Sequence, residues 1–270
     1  MQPMTARFLG LPGVLAASLL AIAAPEARAS SSVPDPSENM LPEIRVPKVH
    51  LPVRLDGRAG DPVWSRAASI TLHDFWKKPE AAPARRTRVL LLHDNEKLYL
   101  AFDCEDHDVL AARTAKNDQT FRDDCVEIML GAPIERLADA ACLEINALGT
   151  LAAFYYRHAD WINYRFDPKV EIAVSRAPVT WGPGVPGYRV EVAIPLAPLY
   201  PVVGLFTGEG ATEVPDTFPE KLRANFARWD RNRNAGGGDR FTIWSNPQFP
   251  FPHPHRPERY GWLLLDRDSD

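Results

Sequence analysis

Residues 121–130 read Phe121-Arg122-Asp123-Asp124-Cys125-Val126-Glu127-Ile128-Met129-Leu130. Residues 124–130 have strand character, and alternation sets Asp124 and Val126 on one face and Cys125 and Glu127 on the other. A glutamate in that place either pairs with Arg223 or Arg228 as a half-buried ion pair or serves a ligand. Both readings stay open at the level of sequence. Working outward, residues 141–146 form a second strand, Ala147-Leu148-Gly149-Thr150 a turn and residues 151–156 the returning strand. Upstream, residues 88–92 and 97–102 make another hairpin around Asp94-Asn95-Glu96. Further strands are expected at 44–49, 170–175, 188–194, 221–228 and 260–265, with helical periodicity only near 61–67 and 196–200 and loops at 178–187 and 204–219. About ten closely spaced strands imply an all-β fold: an antiparallel β-sandwich, jelly-roll or immunoglobulin-like, with one or two short helices.

Composition agrees. The 270 residues include 26 prolines against 16 glycines, which excludes a helical bundle, because each interior proline removes a helix hydrogen bond. The longest proline-free stretches are residues 84–132 and 134–167, the central hairpins; proline gathers instead in 178–219 and in 247–257 just after Trp244. Such a stiffened loop is expected to hold Trp244 opposite Phe121 and Glu127. At 45% hydrophobic residues the chain can bury a full core, and its net charge of −4, without a basic run, argues against nucleic acid. Arg7, the uncharged apolar stretch 8–24 and Ala27-Arg28-Ala29 have the form of a cleaved export signal. The expected organisation is a signal peptide at 1–29, a flexible leader at 30–42 and one domain at 43–270. That places the mature protein in the periplasm or outside the cell, with no membrane segment after signal cleavage.

Three cysteines, Cys104, Cys125 and Cys142, allow at most one disulfide, and Cys104–Cys125 is the pairing considered across strands. No Cys-x-x-Cys, His-Glu-x-x-His or Gly-x-Ser-x-Gly occurs, so no catalytic residue and no metal ligand is assigned. His253-Pro254-His255 offers only weak ligand spacing. Asp103-x-Glu105-Asp106-x-Asp108 and Asp230-x-Asn232-x-Asn234 carry the hard oxygen donors that calcium prefers, without the spacing of an EF-hand.

An ordered set of marks runs from about residue 43 to 266. It comprises Leu55-Asp56-Gly57, Asp61-Pro62-x-Trp64, residues 95–102, Phe121-x-Asp123-Asp124-x-Val126-Glu127, Glu191-Val192-Ala193-Ile194-Pro195, Arg223-Ala224-Asn225-x-x-Arg228, Trp244 and Arg259-Tyr260-Gly261. This set resembles the family 9 carbohydrate-binding modules and their exported single-domain relatives, a DOMON-like β-sandwich. The resemblance implies a site in which two aromatics clamp a sugar and a strand glutamate bonds its hydroxyls. Carried over, these roles fall on Phe121, Trp244 and Glu127, with Asn225 and Arg223 as further polar contacts. Phe121 stands where well-characterised members have tryptophan, Glu144 falls near a family arginine, and Arg223 near a family glutamine. Members of the family bind structural calcium, so the resemblance leaves a calcium site open; no cofactor is required.

The residues make the same case in physical terms. A sugar ring offers C–H patches on its faces and hydroxyls at its rim, so a site for it needs flat aromatic surfaces and short polar groups. Trp229, beside Arg228, is a further candidate for the rim, as are Trp161 and Tyr164. The expected function is an exported carbohydrate-binding protein that holds a mono- or oligosaccharide, with a chain end as one form, without transforming it. The alternative is an enzyme, a glycosidase or accessory domain of carbohydrate catabolism, which needs two carboxylates set for O-glycosyl hydrolysis; Asp123, Asp124, Glu127 and Glu144 are the acids available. The balance is against an enzyme. A haem- or metal-binding sandwich is the third reading.

Overall fold

The computed structural model describes residues 40–50, 53–58, 60–75, 85–131, 139–157, 161–176, 185–203, 219–233 and 239–267. The expected signal peptide, nearly all of the leader and most of the two expected loops lie outside the described residues. Among those described, fourteen strands form two sheets. The smaller sheet orders β10 (Glu171–Ser175), β11 (Gly187–Pro195), β5 (Lys97–Glu105), β4 (Thr87–His93) and β2 (Ala68–Thr71). The larger orders β1 (Glu43–Val46), β14 (Gly261–Leu265), β12 (Lys221–Asp230), β6 (Cys125–Gly131), β7 (Asp139–Asn146), β8 (Leu151–Arg157) and β9 (Trp161–Asn163), with β13 (Arg240–Ile243) joined to β12 and β3 (His73–Asp74) to β13. All named strand pairings are antiparallel except β1 with β14. The helical segments among the described residues are a 3₁₀ turn at Pro62–Arg66, two more at Thr120–Arg122 and Pro257–Arg259, and α1 (Leu196–Val203).

Period-two patterning explains the stacking. Val89, Leu91, Leu100, Phe102, Val190 and Val192 of the smaller sheet meet Val126, Ile128, Leu143, Phe226 and Leu263 of the larger in one buried cluster. Phe102 and Phe226 touch edge to face across the sandwich at 6.3 Å. The larger sheet is also covered on its other face. Met129, Cys142, Phe154, Tyr156, Ala227, Phe241, Ile243 and Tyr260 form a second cluster there. Every residue of β6 and β7 is therefore buried, including Glu127 and Glu144.

The opening motif has a mechanical explanation. Trp64 packs on the outer face of the smaller sheet with Leu90, Leu92, Tyr99 and Ala193, in a turn that Asp61 caps by accepting the Val63 amide at 3.0 Å. Glu191, fully buried on β11, accepts the Asp56 and Gly57 amides at 2.9 Å each. Gly57 has φ +70°, and a Cβ there would lie 2.8 Å from the Val174 carbonyl carbon.

The Cys104–Cys125 bridge does not form. Cys104 lies in the sandwich interior on β5, facing Tyr188 and Thr87 across the ladders, whereas Cys125 lies on the other sheet opposite Asn146 and Trp229. All three thiols are free and buried, and burial raises the pKa of each.

Two outcomes follow. Gly57→Ala should lose about 1–3 kcal/mol of unfolding free energy in urea, from the left-handed backbone and the contact with Val174. Thiol titration of the non-reduced protein in denaturant should count all three cysteines, and two missing thiols would show a bridge.

Candidate functional site

Two adjacent aspartates fix the entrance to β6. Asp123 accepts the Ala112 and Arg113 amides at 3.1 and 2.9 Å, the Asn146 side-chain amide at 2.9 Å and the Arg113 guanidinium at 2.6 Å. Burial opposes its charge, but these donors together hold the carboxyl below its ordinary pKa. Asp124 accepts the Leu110 amide in a short hydrogen bond and the Arg231 amide at 2.7 Å. Both acids therefore anchor loops. Phe121 is half-buried on the 3₁₀ turn Thr120–Arg122, two residues before the strand.

A cleft of about 270 Å³ opens beside that turn, on the face of the larger sheet turned away from the sandwich interior. Phe121, Glu127, Glu144 and Trp229 line it, together with Phe154, Tyr164 and the loop Pro252-His253-Pro254-His255. Glu127 and Glu144 are direct partners across β6 and β7, 2% and 6% exposed. The Trp229 indole donates to Glu127 Oε1 at 2.9 Å, and the Thr120 hydroxyl donates to Glu144 Oε2 at 2.9 Å. Glu127 Oε2 is buried without a hydrogen-bond partner. Burial first, and the facing Glu144 second, raise the Glu127 pKa; burial likewise raises that of Glu144, against the pull of Thr120 and the Phe121 amide.

Arg231 ties the aromatics together. Its guanidinium lies 4.2 Å from the Trp229 ring centroid, its Nε donates to the Phe121 carbonyl at 3.0 Å and its Nη1 pairs with Asp239 at 2.6 Å. On the opposite wall His255 stacks on Tyr156 with centroids 4.5 Å apart, and Phe154 contacts both His255 and Tyr164. Burial and the neighbouring His253 lower the His255 pKa to about 3, so this ring is neutral.

Three of the six expected contact residues, Phe121, Glu127 and Trp229, meet at this cleft. The other three lie elsewhere. Trp244 stacks on Phe226 at 5.6 Å and packs against the sandwich core, because its amide bonds the Phe226 carbonyl as β13 ends. Asn225 is fully buried and holds Ser245, donating to its carbonyl and accepting its amide, each at 2.9 Å. Arg223 lies 4.4 Å over Trp262 and donates to the Glu258 carbonyl at 3.1 Å. Neither arginine weighed as an ion-pair partner takes Glu127: Arg228 turns to the sandwich side and pairs with Asp106. The cleft wall at 252–255 was signalled by proline density, but as a support for Trp244 rather than as a wall. Tyr164 lines the cleft, whereas Trp161 stands 54% exposed against Tyr155.

A different cluster suits a cation. Asp106, Asp124 and Asp230 each bring one carboxylate oxygen within 4.8 Å of the others, and all are buried. Arg228 pairs with Asp106 at 2.9 Å, and Arg85 bridges Asp106, Asp108 and Asp230 at 2.6, 2.7 and 3.1 Å. Four carboxylates thus face two guanidiniums, Asp230 Oδ2 has no partner, and burial with repulsion from Asp106 raises the Asp124 pKa. Oxygen donors with uncompensated charge fit a hard divalent ion in kind, though three carboxylate oxygens fall short of calcium's usual six to eight ligands.

No curated protein matches the sequence. Among solved structures, one assigned as a carbohydrate-binding protein, from Bacteroides uniformis ATCC 8492, superposes with a TM-score of 0.64 at 16% identity, over 84% of this chain and 100% of its own. A family 9 carbohydrate-binding module from Caldicellulosiruptor kristjanssonii, solved with cellotriose, superposes with a TM-score of 0.54 at 16% identity, over 85% of this chain and 96% of its own. The same organism's module solved with glucose gives 0.53 at 16% identity, over 85% and 98%. These likenesses establish the fold. The family described as "Carbohydrate family 9 binding domain-like" matches residues 55–249, well over half of the sequence, and the chain belongs to that family.

Proposed function

We propose that this protein binds a carbohydrate in the cleft between Phe121, Trp229 and the 252–255 loop and does not transform it. The observation that carries this is Glu127, whose carboxyl is oriented by the Trp229 indole and presents a buried oxygen without a partner. An aromatic wall with a few fixed polar groups is what a sugar ring requires. Family membership and the relatives solved with glucose and cellotriose support the same reading. Glu127 and Glu144 also supply an acid pair, but both project from neighbouring strands of one wall, whereas hydrolysis needs carboxylates flanking the scissile bond. The sequence marks of a signal at 1–29, a leader at 30–42 and a domain at 43–270 support export to the periplasm or the exterior. No helix among the described residues is long and apolar enough to cross a membrane.

The test is calorimetric titration with glucose and cellotriose, alongside an assay for reducing-sugar release. Binding should be seen, and Phe121→Ala and Trp229→Ala should each weaken it about tenfold or more. Trp244→Phe should leave it unchanged. Failure of all ligands to bind, or release of sugar that Glu127→Gln abolishes, would overturn the reading.

Asp106, Asp124 and Asp230 are our proposed seat for the structural calcium that the resemblance leaves open. Calcium at about a hundred times its dissociation constant should stabilise the fold by about 2.7 kcal/mol, visible as a higher melting temperature that a chelator reverses. Asp230→Asn should remove the response. Identical melting with calcium and with chelator would refute this site.

A further inference from the structure

The cleft gathers acids that a neutral sugar leaves without a cationic partner. Glu127 and Glu144 face each other within it and Asp118 stands at its rim, while no lysine or arginine among the described residues lines it. Arg231 lies against the Trp229 ring and is held by Phe121 and Asp239. Arg122 lies 5.9 Å from the Phe121 ring centroid, outside the cleft lining. Asp118 has Arg113 at 3.9 Å. From the late loop come His253 and the neutral His255, and from the segment after β9 comes Tyr164, whose hydroxyl is pushed upward by burial and the nearby Glu144. Arg231 favours the charged form of Glu127 through space, but its guanidinium is hydrogen-bonded to Phe121 and Asp239 rather than to the carboxyl pair.

We infer that the cleft selects a sugar bearing a free, protonated amine, such as the 2-amino-2-deoxyhexose unit of a deacetylated chitin-type chain, with the ammonium seated on Glu127 and Glu144. This rests on the sugar-binding reading of the same cleft. The ammonium donates to Glu127 Oε2, the buried oxygen that has no partner, and its single positive charge offsets one carboxylate while the other acid stays protonated. Phe121, Phe154, Tyr164 and Trp229 surround it with rings that attract cations. A bare metal ion suits the place less well, because the only described group of acids and histidines gathered closely enough for one is the Asp106 cluster. The cleft volume, about 270 Å³, lies near the lower end of the usual range for ligand pockets and suits a single sugar unit.

The raised pKa values of the two glutamates give the inference a proton signature. With both acids raised, the pair holds its protons in the free protein, and an arriving ammonium ionises one of the two, so binding releases one proton to the buffer. Glucose, which brings no charge, leaves that proton in place.

The experiment is calorimetry on the full mature protein with glucose, glucosamine and N-acetylglucosamine at about pH 6.5, where an ordinary amine is still protonated, in two buffers of different ionisation enthalpy. Glucosamine should bind about tenfold more tightly than either neutral sugar, with proton release in its case alone. Glu144→Gln should lower the ratio of glucosamine to glucose affinity and remove the proton release. If glucose binds and glucosamine binds no better, the amine inference falls and the sugar reading stands; if no sugar binds, both fall. A glucosamine preference untouched by Glu144→Gln would refute the seating on this pair. Because the three ligands are compared on the unaltered protein, the result does not depend on the variant folding.

Discussion

Strand β6 is covered on both faces, and this constraint governs the rest of the molecule. Its sandwich side supplies Val126, Ile128 and Leu130 to the main core, while its outer side carries Cys125, Glu127 and Met129 under a second roof. A sheet that is dry on both faces makes any polar side chain on it expensive unless it is partnered. Asp123 and Asp124, at the strand's entrance, meet the requirement by gathering loop amides. Glu127 meets it only by half, with the Trp229 indole on one oxygen. The same burial that stabilises the strand therefore creates a polar group that still has something to bind.

The architecture was largely legible because alternation and turn chemistry are local. The hairpins at 88–102 and 124–156, the strand at 188–194 and the short helix after it all appear where the pattern places them. The short strands β2, β3, β9 and β13 leave no pattern in the sequence, since two to four residues at a sheet margin carry too little periodicity. Fourteen strands thus stand where about ten were expected, and the parallel pairing of β1 with β14 has no local signature at all. Residue pairing between distant strands sets it.

The site was legible only in part, for a related reason. Alternation gives the face of a strand but not what covers it at each position. Arg223, Asn225, Ala227 and Trp229 occupy successive places on one side of β12, yet only Trp229 reaches the cleft. Asn225 is enclosed by the turn at Ser245, and Arg223 lies beneath the turn at Pro257–Arg259. Trp244 is diverted inward by the end of β13, a change of direction that no spacing rule records. Conversely, Tyr164 and His255 come to the cleft from segments some 90 residues apart, brought together by Phe154.

The loop that carries Pro252, His253, Pro254 and His255 has a thermodynamic side. Proline narrows the backbone choices of a loop before any ligand arrives, and His255 is further held by its stack on Tyr156. The ordering entropy of this wall is thus charged to folding rather than to association. A ligand bound as proposed would meet a surface that is already set, as in binders whose affinity comes from rigidity more than from contact area. Under the sugar-binding proposal, the abundance of proline, at first sight only an obstacle to helices, makes recognition a matter of fit instead of rearrangement.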